Sequence, residues 1–147
     1  KKAGILTLIG DIGKGWLVGW LGTLLFTQES AVLLVALSAI LGHLYSVFLH
    51  FTGGKGVATA LGAILGVAPW LGLTLMGLWL GAVYWWKYSS GGALLAFGLF
   101  PIVALLFHRS WFFIGFACFV SLLIWTRHKE NLIRLWSGTE SRIGQAS

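Results

Sequence analysis

Two short stretches of this sequence concentrate groups suited to holding an anion and moving a proton. The first is Gly53-Gly54-Lys55-Gly56, which runs on into Val57-Ala58-Thr59. A glycine-rich turn entering a helix presents several backbone N–H groups to a phosphate, and a lysine adds a mobile positive charge. It is not a nucleotide-binding P-loop, because the Gly-x-x-x-x-Gly-Lys-Ser/Thr spacing is missing. A flexible loop whose lysine reaches towards lipid headgroups fits the same residues. The second stretch, Arg127-His128-Lys129-Glu130-Asn131, follows an apolar run and sets donors, an acid and an imidazole within five residues. His128 could relay a proton near neutrality, and Arg127 or Lys129 could hold an anion. An ordinary basic helix end at a membrane surface is the competing reading.

Other polar residues carry less. Asp11 and Lys14 are three apart on one helical face and could neutralise each other inside a bundle, or support a polar pocket. Ser89 and Ser90 read as a cap or turn, His108-Arg109 as a turn or headgroup contact, and Thr139-Glu140 as solvated surface. No His/Cys cluster has metal spacing, and no dinucleotide fingerprint or short-range Ser-His-Asp arrangement is present. No cofactor is implied.

These groups must be positioned by apolar elements. Hydropathy marks runs over Gly4 to Phe26, Ala31 to Phe48, Val57 to Trp86, Ala93 to Phe107 and Trp111 to Thr126, with a polar and basic tail from Arg127. Thirty residues from Val57 exceed the roughly 20 needed for one span, so Pro69 is expected to divide that run or kink it. Counting a break at Pro69 and another at His108–Ser110 gives up to six helices, several of them short. Basic residues favour the cytoplasmic side of a membrane. If Lys55 and the Arg127–Arg142 tail share that side, an even number of crossings separates them, and splits at Pro69, Lys87–Gly92 and His108–Ser110 supply four.

Composition fixes the class. Of 147 residues, 58% are hydrophobic and 10% charged, and the mean hydropathy is +0.89. A soluble domain usually carries about 25% charged residues. The 21 glycines would weaken helices in water, whereas in a bilayer they let helices approach closely. Nine Trp and three Tyr suit the headgroup level. The expected fold is therefore all-α: a polytopic integral membrane helix bundle of short helices with a candidate break. The net charge of +6 lies in the gaps between apolar runs rather than along one stripe, which fits lipid headgroups and excludes nucleic acid as the leading partner. The single Cys118 sits in an apolar run and supports no disulfide or redox role. With no initiator Met and no cleavable leader, residues 1–147 are expected to form a single membrane-embedded domain that is incomplete at its amino terminus.

In combination these residues resemble the bacterial acyl-phosphate:glycerol-3-phosphate acyltransferase family of the PlsY type. The similarity rests on three stretches in family order. Lys1-Lys2-Ala3-Gly4-Ile5-Leu6-Thr7 with Asp11 and Lys14-Gly15 resembles the segment after the family's first conserved loop. Leu41-Gly42-His43 with Phe51-x-Gly53-Gly54-Lys55-Gly56-Val57-Ala58-Thr59 resembles its glycine-rich second motif. Arg127-His128-Lys129-Glu130-Asn131, Arg134-Leu135 and Gly138-Thr139-Glu140 resemble its third. The first motif would lie before Lys1, and His43-Leu44-Tyr45-Ser46 stands where the family usually has His-x-Phe-Pro.

The resemblance implies a multi-pass enzyme of the bacterial inner membrane with its active-site loops facing the cytoplasm. Its partners would be glycerol 3-phosphate, fatty acyl phosphate and membrane lipids. It would move an acyl group to the sn-1 hydroxyl, making lysophosphatidic acid and releasing phosphate. Carried over residue by residue, Lys55, His128, Glu130 and Asn131 would be catalytic, and His43, Gly53, Gly54, Gly56, Thr59, Arg127 and Lys14 would bind substrate. The chemistry needs two anions brought together, a hydroxyl oriented and charge stabilised in the tetrahedral species. A transporter of phosphorylated lipid or a non-catalytic membrane subunit remains the alternative.

Overall fold

The computed structural model describes residues 2–46 and 53–144. The expected end of the second helix at Phe48, and His50, Phe51 and Thr52, lie outside the described residues. Seven helices occur among those described: α1 (Lys2–Leu25), α2 (Glu29–Leu44), α3 (Val57–Val67), α4 (Pro69–Trp86), α5 (Ser89–Leu106), α6 (Trp111–Arg127) and α7 (Lys129–Trp136).

The run from Val57 to Trp86 is divided at Pro69, as expected. Proline has no N–H to donate and suits the first position of a helix; α3 ends at Val67 and α4 begins on Pro69. α3 leads away from Lys55 and α4 returns, so that Trp79 and Ser89 line the same cavity as Lys55. α5 leads away again and α6 returns Arg127 to the glycine loop. The four intervening helices satisfy the parity inferred from the charges.

Two corrections follow. Ser89-Ser90-Gly91-Gly92, read as a polar break, forms the first turn of α5; only Lys87 and Tyr88 separate α4 from α5, and Lys87 turns the chain with φ +63°. The tail contains α7, bent by 62° from α6. Its eight residues are too charged to register as apolar sequence, yet they present one face inward, where Asn131 is buried.

Close contact between α1 and α3 forms the largest helix seam. Gly15 packs against the Thr59 carbonyl, Gly19 against Ala63, Gly62 against the Ile12 carbonyl and Gly66 against Trp16 and Trp20. Each helix thus offers two glycines four residues apart, and a Cβ at any of them would strike partner backbone. This spacing is the small-residue solution to helix association in lipid, where apolar side chains gain little by leaving the solvent.

The α5–α6 pair is fixed differently. Phe97, Phe100, Phe113 and Phe116 meet edge to face with ring centroids 5.8–6.3 Å apart. Pro101, inside α5, cannot donate to the Phe97 carbonyl one turn earlier. The Ser121 hydroxyl of α6 donates to that carbonyl instead, at 2.6 Å. A backbone acceptor freed inside a membrane is thereby satisfied by the neighbouring helix.

Large apolar side chains also cover the outside, among them Leu6, Leu25, Leu34, Trp85, Leu106 and Phe112. By length and composition α5 qualifies as a span alone and α6–α7 as a bent pair, while α2 and α3 are shorter apolar helices.

Candidate active site

One open cavity of about 650 Å³ lies at the end of the bundle where α3 and α5 begin and α6 ends. Gly56 makes the entry to α3 possible. Its φ of +81° is left-handed, and a Cβ there would also meet Leu44. No side chain caps α3, and Val57 and Ala58 of its first turn line the cavity. Ser89 and Ser90 of the first turn of α5 line it too. First-turn N–H groups lie outside the helical ladder and carry the positive end of the helix dipole, so two helix starts favour an anion here.

A chain of hydrogen bonds crosses the cavity floor. Lys55 Nζ donates to Asn131 Oδ1 at 2.6 Å, and Asn131 Nδ2 donates to Glu140 Oε1 at 2.6 Å. Ser90 Oγ donates to the same oxygen at 2.5 Å, and Arg134 Nε donates to Glu140 Oε2 at 2.8 Å. Glu140 therefore ties α5, α7 and the tail together, and its side chain is only 7% exposed. Burial alone would raise its pKa; the hydrogen bonds from Ser90, Arg134 and Asn131, with the Arg134 charge, outweigh that and hold it below the ordinary carboxylate value. Lys55 pairs with no carboxylate among the described residues, so its charge is available to a ligand.

His128 caps the bend between α6 and α7 and is 2% exposed. Its Nδ1 lies 2.8 Å from the Ile124 carbonyl, which can only accept. That contact places the ring proton on Nδ1 and leaves a lone pair on Nε2. Burial, with Lys55 nearby, lowers its pKa against the opposing effects of the Ile124 carbonyl and Glu140, so the ring is neutral at pH 7.

At the cavity's edge, Lys14 Nζ donates to Asp11 Oδ1 at 2.6 Å and to His43 Nδ1 at 2.8 Å. Asp11 and His43 line the cavity. Gly54 packs directly on the His43 ring, so α1 and α2 brace the glycine loop.

The family model described as glycerol-3-phosphate acyltransferase matches residues 1–138. The chain belongs to this family. It is 47% identical to the glycerol-3-phosphate acyltransferase of Nitrosospira multiformis, over 100% of this chain and 75% of that protein. It is 44% identical to that of Ralstonia nicotianae, over 99% and 72%. The crystal structure of PlsY (YgiH), an integral membrane glycerol 3-phosphate acyltransferase, superposes with a TM-score of 0.91 in its lysophosphatidic acid form and 0.93 in its glycerol 3-phosphate form. Identity is 34% in both; the match covers 98% of this chain and 74% and 72% of those chains. The polytopic membrane bundle read from composition is the fold of this acyltransferase family.

Of the expected site residues, Lys55, His128, Asn131, His43, Gly54 and Gly56 line the cavity. Five others are placed elsewhere. Glu130 is 75% exposed and faces Arg134 at 3.9 Å, because α7 turns Asn131 inward and Glu130 outward. Arg127 donates from Nη2 to the Gly53 and Gly54 carbonyls, at 2.9 and 3.3 Å, so it straps the glycine loop to α6. Gly53 sits behind that loop against the His43 and Leu44 carbonyls. Thr59 is buried in the α1–α3 seam. Lys14 acts on His43 and Asp11 rather than on the cavity itself.

The residues missed are Ser90, Arg134, Arg142 and above all Glu140, read as solvated surface. The Arg134 and Gly138-Thr139-Glu140 matches to the third motif were the available signal. Ser90, fifty residues from Glu140, reads in the sequence only as a cap or turn.

Proposed function

We infer that this chain is an acyl-phosphate:glycerol-3-phosphate acyltransferase that makes lysophosphatidic acid and phosphate, and that the cavity is its active site. The observation that carries this reading is that Lys55, paired with no carboxylate among the described residues, and His128 line one cavity with the first turns of α3 and α5. Membership of an acyltransferase family supports it independently.

Acyl phosphate is already activated, since phosphate is a good leaving group. The sn-1 hydroxyl oxygen of glycerol 3-phosphate attacks the acyl carbon, and an ester C–O bond forms. His128 Nε2 takes the hydroxyl proton, a role that a neutral ring fixed through Nδ1 is suited to. Lys55 and the N–H groups at the start of α3 offset the negative charge that builds up on the carbonyl and phosphate oxygens. The acyl C–O bond to phosphate then breaks and phosphate leaves with the bonding electron pair. Asn131 and Glu140 hold Lys55 in position, while Arg127 fixes the loop that carries it.

The cavity end faces the cytoplasm in this reading. Lys14, Lys55, Lys87, Arg127, Lys129, Arg134 and Arg142 cluster there, whereas the opposite end has Arg109 matched by Glu29. That asymmetry is the positive-inside pattern. The membrane is the bacterial inner membrane.

The test is turnover of palmitoyl phosphate by the purified chain in detergent, with and without glycerol 3-phosphate. Acceptor-dependent phosphate release matched by lysophosphatidic acid is expected. Acceptor-independent release would make the protein a phosphatase, and flux of glycerol 3-phosphate across vesicles without product would make it a transporter; either overturns the reading.

A further inference from the structure

The reaction brings two phosphates into one cavity, and Lys55 supplies one cation that pairs with no carboxylate among the described residues. Arg134, which also lines the cavity, is committed through Nε to the Glu140 carboxylate. A second candidate comes from the tail. Arg142 lines the cavity and pairs with no carboxylate among the described residues. Its Nε donates to the Tyr88 hydroxyl at 2.9 Å, and its guanidinium lies 5.3 Å from the centre of the Tyr88 ring. The next residue is fixed as well: Ile143 N donates to the Lys87 carbonyl at 2.8 Å. Arg142 is thus held by the α4–α5 turn in an orientation that leaves its terminal nitrogens for another partner.

Its position separates the two substrates. Tyr88, the residue that holds Arg142, also lines a second space of about 570 Å³, almost wholly apolar, whose walls include Trp86, Leu94, Leu99 and Trp125. Arg142 therefore stands at the border between the polar cavity and an apolar groove on the bundle surface. A molecule with a phosphate joined to a long hydrocarbon matches that border. Glycerol 3-phosphate, polar throughout, has no use for the groove.

We propose that Arg142 is a substrate-binding residue that holds the phosphate of the acyl donor, leaving Lys55 and the α3 N-terminus to the acceptor and the reacting carbonyl. This rests on the acyl-transfer reading and adds which cation takes which substrate. Guanidinium suits the task through its planar fork of donors, which pairs with two phosphate oxygens at once.

The experiment measures KM for palmitoyl phosphate and for glycerol 3-phosphate separately in the unaltered chain, R142Q, R142K and Y88F, with equilibrium binding of palmitoyl phosphate read in parallel. R142Q should raise the KM for palmitoyl phosphate by roughly tenfold to a hundredfold, the range expected for a lost charge-assisted bond. The KM for glycerol 3-phosphate should stay within about twofold, since a lost donor contact leaves the acceptor's own contacts intact. R142K should recover part of the loss, and Y88F, which frees the guanidinium from its hold, should show the same shift more weakly. A larger shift for glycerol 3-phosphate than for palmitoyl phosphate, or no shift in either, overturns the proposal. If R142Q does not fold, unchanged palmitoyl phosphate KM in both R142K and Y88F overturns it. An unaltered chain that binds palmitoyl phosphate without turnover would count against acyl transfer, and Arg142 would still be judged by the loss of that binding in R142Q.

Discussion

The two ends of the bundle are built from the same three side chains and do different things. At one end Glu140 is held by Arg134 and Ser90; at the other, Glu29 accepts from Arg109 at 3.1 Å and from the Ser110 hydroxyl. Ser110 also accepts from Phe113 N and so caps α6, while Arg109 stacks on the Phe113 ring. The far cluster is balanced in charge: one acid, one base, one cap, joining the start of α2 to the α5–α6 turn. The near cluster has two members more, Asn131 and Lys55. Asn131 relays from Glu140 to Lys55, which pairs with no carboxylate among the described residues, and the group borders a void instead of closing one. A glutamate-arginine-serine cluster marks a joint; the unmatched cation beside a cavity marks a site.

Removing that cation should break the comparison most severely. Lys55→Ala is expected to lower kcat by a hundredfold or more, on the order of the loss when a donor to a developing oxyanion is deleted, while the far end and the melting temperature hardly change. Retained turnover in a folded variant would take Lys55 out of the chemistry.

Next in size is Glu140→Ala. It leaves Asn131, Ser90 and Arg134 without their shared acceptor and should cost ~2 kcal/mol of stability, given that Arg134 is partly solvated. Thermal unfolding in detergent measures this, and kcat should fall with it because Lys55 loses its support. A stable variant with full activity would show that the near cluster is as dispensable as a surface pair.

Acid should sharpen the contrast. Glu140 and His128 both have depressed pKa values in the folded protein. Between folded and unfolded values the native state holds fewer protons, so their contribution to stability is complete above the unfolded values and lost as pH falls through the folded ones. Activity should accordingly persist below the ordinary imidazole value of 6.5 before it declines. A pH–rate profile on folded protein measures the limb, and an acid limb above that value would contradict a depressed His128.

The smallest effect belongs to the far end. Glu29 and Arg109 are each about one-third exposed, 34% and 33%, so Glu29→Ala should cost about 1 kcal/mol or less. Its kcat should equal that of the unaltered chain. A loss of turnover matching Glu140→Ala would mean that the two ends are coupled.

Much of the arrangement is legible in the sequence itself. Hydropathy located α1 to α6, Pro69 marked a division or kink between α3 and α4, and supposing Lys55 and the tail on one side gave an even number of helices between them. Backbone constraints and bilayer solvation act locally on the chain, which is why they show in it. The glycine loop and His128 were legible because few other roles use those residues at that spacing. What escaped depends on rotation and distance. α7 is one charged turn pair whose inward face is set by packing, so Asn131 and Glu130, adjacent in sequence, point opposite ways. Arg127 looked like an anion ligand because a guanidinium suits phosphate and backbone carbonyls alike. Glu140 looked exposed because its partners, Ser90 and Asn131, come from other parts of the chain.

The glycine seam between α1 and α3 also bears on the order of synthesis. α1 is made before α3, and its notched face, Gly15 and Gly19, fits a helix that does not exist until residue 67 has been made. The Asp11–Lys14 pair lies within α1 itself, so it can form as soon as that helix does. Such a pair can offset both charges before His43, a residue of α2, is in place to give the lysine its second partner.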